Sequence, residues 1–176
     1  MSQDLRPVSG CDYLNQAHPA LRTPAARIFA VHTLLDVALR CARRFRIEFD
    51  GPRLARVLDK ETFAMLLPTL PLDKDAGGGG ALDACEAPLD PARAALLRRL
   101  LSFGWEGWSE PPINMIDRTI LLDGRGQVVL RGNDNNDAIL FALPEPEKAA
   151  LLACYGERGI PAEVVERVAV NINQGV

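Results

Sequence analysis

Aromatic side chains are scarce in this chain: Phe, Trp and Tyr together make up 6% of its residues. Its core must therefore be built mostly from Leu, Ala, Val and Ile. Histidine is scarcer still, with only His18 and His32. A Ser-His or Cys-His dyad has few places to form. The nucleophile elbow G-x-S-x-G and the zincin pattern H-E-x-x-H are both missing. Cys11, Cys41, Cys85 and Cys154 never approach the C-x-x-C spacing that zinc ribbons and dithiol redox sites need. Cys41 and Cys154 fall on apolar helical patterns and are expected as small buried hydrophobes in a reducing compartment. No apolar run approaches the roughly 20 residues that cross a bilayer. "MSQDLRPVSGCDYL" carries acid, Pro and Gly where a secretory leader would be apolar. The expectation is a soluble, cytoplasmic protein with no membrane contact. The run Gly77 to Gly80 is not followed by Lys-Ser/Thr, so it is no phosphate loop.

What is present suits one domain of 176 residues, with 48% hydrophobic content. The abundance of Ala, Arg, Gly and Pro suits a GC-rich bacterial genome. The net charge of −3 argues against a duplex-binding role, which calls for a basic surface.

Residues 1–22 read as an irregular arm. Thr23-Pro24 is a cap followed by a first-turn proline, and Ile28, Val31, Leu35, Ala38, Ala42 and Phe45 follow as one apolar helical seam. A seam of this length can be covered within the chain or by a second copy, which makes a homodimer one expectation. "RFRIEF" then switches to period two, as in a half-buried strand. Two short helical segments are expected between Pro52 and Pro68. Residues 68–90 show little periodicity and read as a flexible Gly-rich loop or linker. Asp90-Pro91 starts another helix, which Gly104 stops. "RTILLD" and "QVVLRG" flank "GRG" as a hairpin, and "AILFAL" supplies a third strand. Helices are expected at about 145–155, ended by Gly156, and at 161–168. The fold class is α+β: a short antiparallel meander at about 116–143, packed against N-terminal and C-terminal helices. The strand at 44–49 is a candidate to join it.

Four places carry possible chemistry. "NDNND" (133–137) offers Asp134 and Asp137 as carboxylate ligands for a divalent cation. The EF-hand register fails there, because Ala138 stands where Gly is required and Pro144 where Glu is required. Asn and Asp also favour left-handed turns, so a plain turn between strands is the expected role. His32 and Asp36 share a helix face, with Arg40 one turn on; an intrahelical ion pair is expected, and a metal would need a further ligand. Arg40, Arg43, Arg44, Arg46, Arg53 and Arg56 form the densest basic stretch, able to meet phosphate or an acidic partner. Trp105 and Trp108 share a Gly- and Pro-rich segment and suit interface anchors.

The leading expectation is a small acidic bacterial-type protein-binding module of inhibitor, immunity, chaperone or regulatory kind. It has no catalysis or cofactor of its own. Trp105, Trp108, Arg44 and Arg46 would touch the partner. The alternatives are a divalent-cation hydrolase of phosphate esters using Asp134 and Asp137, and phosphate or nucleic-acid binding through the arginines.

Overall fold

The computed structural model describes residues 10–66, 82–102, 112–133 and 136–174. Seven strands of these residues join in one antiparallel sheet. They are β1 (Cys11–Leu14), β2 (Arg44–Phe49), β3 (Asp83–Pro88), β4 (Ile116–Leu122), β5 (Val128–Asn133), β6 (Ala138–Phe141) and β7 (Val165–Val168). Their spatial order is β3-β2-β4-β5-β6-β1-β7. The expected meander is its centre, β4 to β6, and "RFRIEF" joins as β2. Five helices accompany the sheet among these residues: α1 (Pro24–Cys41), α2 (Gly51–Val57), α3 (Lys60–Ala64), α4 (Pro91–Leu100) and α5 (Glu145–Glu157).

Local chemistry sets the helix starts. The Thr23 hydroxyl accepts from the Ala26 N–H at 3.2 Å, and Pro24 takes the first turn of α1. Asp50, Asp59 and Asp90 do the same for α2, α3 and α4, accepting from Arg53, Thr62 and Arg93 N–H groups at 3.0, 2.7 and 2.8 Å. At the other end of α1, Ala42 turns to extended backbone, which hands Phe45 to β2 rather than to the helical seam.

Because strand side chains alternate, the sheet has two unlike faces. Phe45 lies opposite Leu121, Leu121 opposite Leu130, and Leu130 opposite Phe141. This row is the floor of the main core, on which Leu34, Leu54, Leu97, Leu100, Leu151 and Tyr155 of the helices converge. The apolar seam of α1 is thus covered within the chain, by the sheet, α4 and α5. The Tyr155 hydroxyl donates to the Ala30 carbonyl at 2.7 Å and ties α5 to α1 in the dry interior. The opposite face carries no helix among the described residues.

Several expectations change. Residues 11–14 are not part of an irregular arm. They pair with β6 and β7, inside the sheet. Residues 83–88, within the stretch read as a linker, form the edge strand β3 on β2. The segment 161–168 is one turn of 3-10 helix followed by β7, because cross-strand pairing with β1 outweighs its weak helical pattern. Gly156 does not stop α5, which ends at Glu157. Cys154 is exposed and Cys41 half-buried, so neither is a core thiol. The buried stripe of α1 includes Ala30, Leu34 and Val37, and leaves Ile28 half-buried. No helix of the described residues is long and apolar enough to cross a membrane.

Burial pushes the Tyr155 phenol well above its ordinary value. In the unfolded chain the phenol ionises near pH 10, whereas in the folded protein it stays neutral. Its contribution is therefore complete below about pH 10 and is lost as pH rises beyond it. Buried thiols raised in the same sense, Cys11 and Cys85, begin this decline from about pH 8.5. Urea titrations between about pH 8 and 11 should show stability falling. Tyr155→Phe should cost about 1 kcal/mol at neutral pH and flatten the upper part of that fall.

Candidate functional site

The helix-free face of the sheet gathers charges that lie apart in sequence. Arg44 and Arg46 project there from β2, Arg118 from β4 and Arg131 from β5. Glu48 of β2 stands among them with its side chain 12% exposed. Its carboxylate takes Arg46 at 3.0 Å and Arg118 at 3.3 Å. Two guanidinium groups on one carboxylate leave a positive charge in excess. Both also keep a buried Nε–H without an acceptor. Arg44 is ion-paired with Glu86 of β3 and remains 54% exposed. Arg131 shares a cross-strand row with Ile120 and Arg46. Its Nη1 donates to the Gln174 carbonyl at 2.6 Å. Among the described residues the result is a belt of four arginines over three strands, interspersed with two acids.

Beside the belt lies a small apolar patch of Cys11, Ile120, Leu122 and Val128. Residues 171–174 run back across it. Ile172 is 4% exposed on the patch, and the Asn173 side-chain oxygen accepts from the Val128 N–H at 2.9 Å.

Around the strand ends below this patch opens a groove of about 760 Å³. Val128, Val129, Leu143 and Ile172 line it beside Asp12, Asp123, Glu145, Glu147, Arg40 and Arg167. Asp12 is buried, and its carboxylate is held by Lys148 of α5 at 2.8 Å and Arg167 of β7 at 3.4 Å. Arg40 reaches Glu147 only at 4.0 Å. Acids and bases are mixed throughout the groove, so its charge selects no one class of ligand.

The residues singled out in the sequence are dispersed. Arg44 and Arg46 lie on the belt, while Arg53 and Arg56 belong to α2 on the helical side. Trp105, Trp108 and Asp134 lie outside the described residues. Asp137 is exposed in the turn between β5 and β6. That turn is organised by backbone geometry: Asn136 has φ of 62°, and Gln16 Nε2 donates to the carbonyls of Asn136 and Asp137 at 2.8 and 3.1 Å. Asp36 is ion-paired with Arg98 of α4, and Arg40 Nη1 donates to the Asp36 backbone carbonyl at 3.2 Å. Among the described residues no three His, Cys, Asp or Glu side chains gather as a metal site.

Sequence reading missed Arg118, Arg131, Glu48 and Glu86. The alternation in "IDRTILL" and "VVLRGN" places each arginine on a face, but only the strand order sets Arg118 next to Glu48 and Arg131 across Ile120 from Arg46. Residues 171–174 gave no signal at all.

Two pairs of substitutions test this geometry. Glu48→Gln should destabilise the fold by about 1–3 kcal/mol, because two adjacent guanidinium groups lose their counter-charge. Arg118→Met should reduce that cost in a double-mutant cycle measured by urea unfolding. At Gly132 an added Cβ would lie 1.6 Å from the Asn136 side-chain oxygen. Gly132→Ala should therefore cost about 1–3 kcal/mol, and much less in an Asn136→Gly background.

Compared with known proteins, the chain matches no family model, no curated protein and no solved structure.

Proposed function

We propose that this chain is a protein-binding module without catalysis of its own, and that the helix-free face of its sheet is the surface it presents. The observation that carries this reading is the arginine belt. Arg44, Arg46, Arg118 and Arg131 come from three neighbouring strands, and among the described residues the carboxylates beside them, Glu48 and Glu86, leave the belt in positive excess. Arginine is the favoured residue for such surfaces, since its planar fork meets carboxylates in pairs. The partner is a protein with an acidic patch. Phosphate chains fit less well, because Glu48 and Glu86 are set among the cations and the whole chain carries −3. A mixed belt instead rewards a partner whose own charges are interspersed to match. Trp105 and Trp108 belong to this proposal as aromatic anchors, on the strength of their segment's composition.

The test is affinity capture with the full chain from its own cells, read by quantitative mass spectrometry. A protein of fixed stoichiometry should be captured. Arg44→Ala/Arg46→Ala should reduce its binding about tenfold, equivalent to about 1.4 kcal/mol, at a temperature where urea unfolding shows the variant still folded despite the loss of one Glu48 partner. Trp105→Ala/Trp108→Ala should weaken it as well. Capture indifferent to the arginines would overturn this surface. Capture of nucleic acid that falls steeply with salt would replace the protein reading with the phosphate one.

A further inference from the structure

Residues 171–174 sit on the helix-free face as a ligand would. Three successive side-chain or backbone groups make three different kinds of contact. Ile172 fills the apolar patch of Cys11, Ile120, Leu122 and Val128. Asn173 accepts the Val128 N–H at 2.9 Å. The Gln174 carbonyl accepts from Arg131 at 2.6 Å. None of the three needs to come from the same chain. Arg131 is here met by a neutral carbonyl, although a guanidinium binds a carboxylate more strongly. The patch is also continuous with the belt, because Ile120 stands between Arg46 and Arg131 in one cross-strand row.

We infer that the seat under Ile172 is the anchor pocket of the interface. Its partner segment is an extended peptide with an aliphatic side chain, then an Asn or Asp, then a carboxylate that meets Arg131. In the free protein residues 171–174 occupy this seat in cis and compete with the partner. This rests on the helix-free face being the binding surface. A tethered segment has an effective concentration in the millimolar range, so a neutral short peptide loses to it while a charged partner segment displaces it.

The probes are two synthetic peptides that repeat residues 169–174, AVNINQ amidated at its C-terminus and AVNINQ with a free C-terminal carboxylate, which puts the negative charge on the Gln174 carbonyl group that meets Arg131. Each is titrated to about 5 mM into the full chain, and amide shifts at Ile120, Leu122 and Val128 are followed; weak peptides show their effect in this concentration range. With Ile172→Ser, which empties the seat, both peptides should shift these amides, at midpoints at least fivefold lower than in wild type. The free-acid peptide should bind more tightly than the amide, and Arg131→Ala in the same background should erase that difference. Asn173→Ala removes one hydrogen bond and keeps Ile172. It is the second variant should Ile172→Ser not fold, with the same order expected. No shift at these amides in either variant, or equal midpoints in wild type and variant, overturns the inference. If the peptides fail while the arginine substitutions still abolish partner capture, the anchor pocket falls and the binding surface stands. If capture ignores the arginines, the surface itself is wrong.

Discussion

The row from Phe45 through Leu121 and Leu130 to Phe141 is the constraint on which the rest of the structure depends. Once these four side chains face the helices, the pleat forces their sequence neighbours to the other side. A slip of one residue would bury Arg44, Arg46 and Arg131 and expose the core, at a cost far beyond the margin of a folded domain. The same row continues past Phe141 to Asp12 and Arg167, where the apolar interior gives out. There Lys148 and Arg167 take the Asp12 carboxylate, so the rim of the core is closed by charge rather than by apolar packing. A buried carboxylate needs such partners, because its desolvation is otherwise very costly.

The helix-free face follows from the same alternation. It is neither a second core nor a plain solvated surface. Its apolar part is small and covered by Ile172, and its polar part is dense with paired and half-paired arginines. Charge-rich faces of this kind favour selectivity over raw affinity, since a wrong partner meets like charges. The two buried Nε–H groups of Arg46 and Arg118 show that the carboxylates present do not use all the donors available. The arginine belt and the segment 171–174 therefore form one system, with Arg131 shared between them.

Much of the fold was legible where a local rule acts alone. Thr23-Pro24 and Asp90-Pro91 mark helix starts because capping involves only neighbouring residues. "RTILLD", "QVVLRG" and "AILFAL" read as a meander because period-two alternation and a tight turn are local signals. Residues 11–14, 83–88 and 165–168 were misread because each carries little apolar alternation of its own. Their state is decided by the partner strand. Cys154 was misplaced for a related reason: α5 turns the Leu151 and Tyr155 side to the core, and the sequence does not say which side that will be.

By itself the sequence determined the class of fold, the central meander, the outward direction of Arg44 and Arg46, and the turn backbone at Asn136 and Asp137. Each of these rests on periodicity or on the backbone preference of a few adjacent residues. The tertiary structure alone decided the strand order and, with it, the meeting of Glu48 with Arg118 and the placing of Arg131 on the same face. It also decided the placing of Ile172 on the opposite face and the capture of Asp12 by Lys148 and Arg167. These contacts join residues scores of positions apart, and their energies come from burial and Coulomb attraction in an environment that exists only after the sheet has closed.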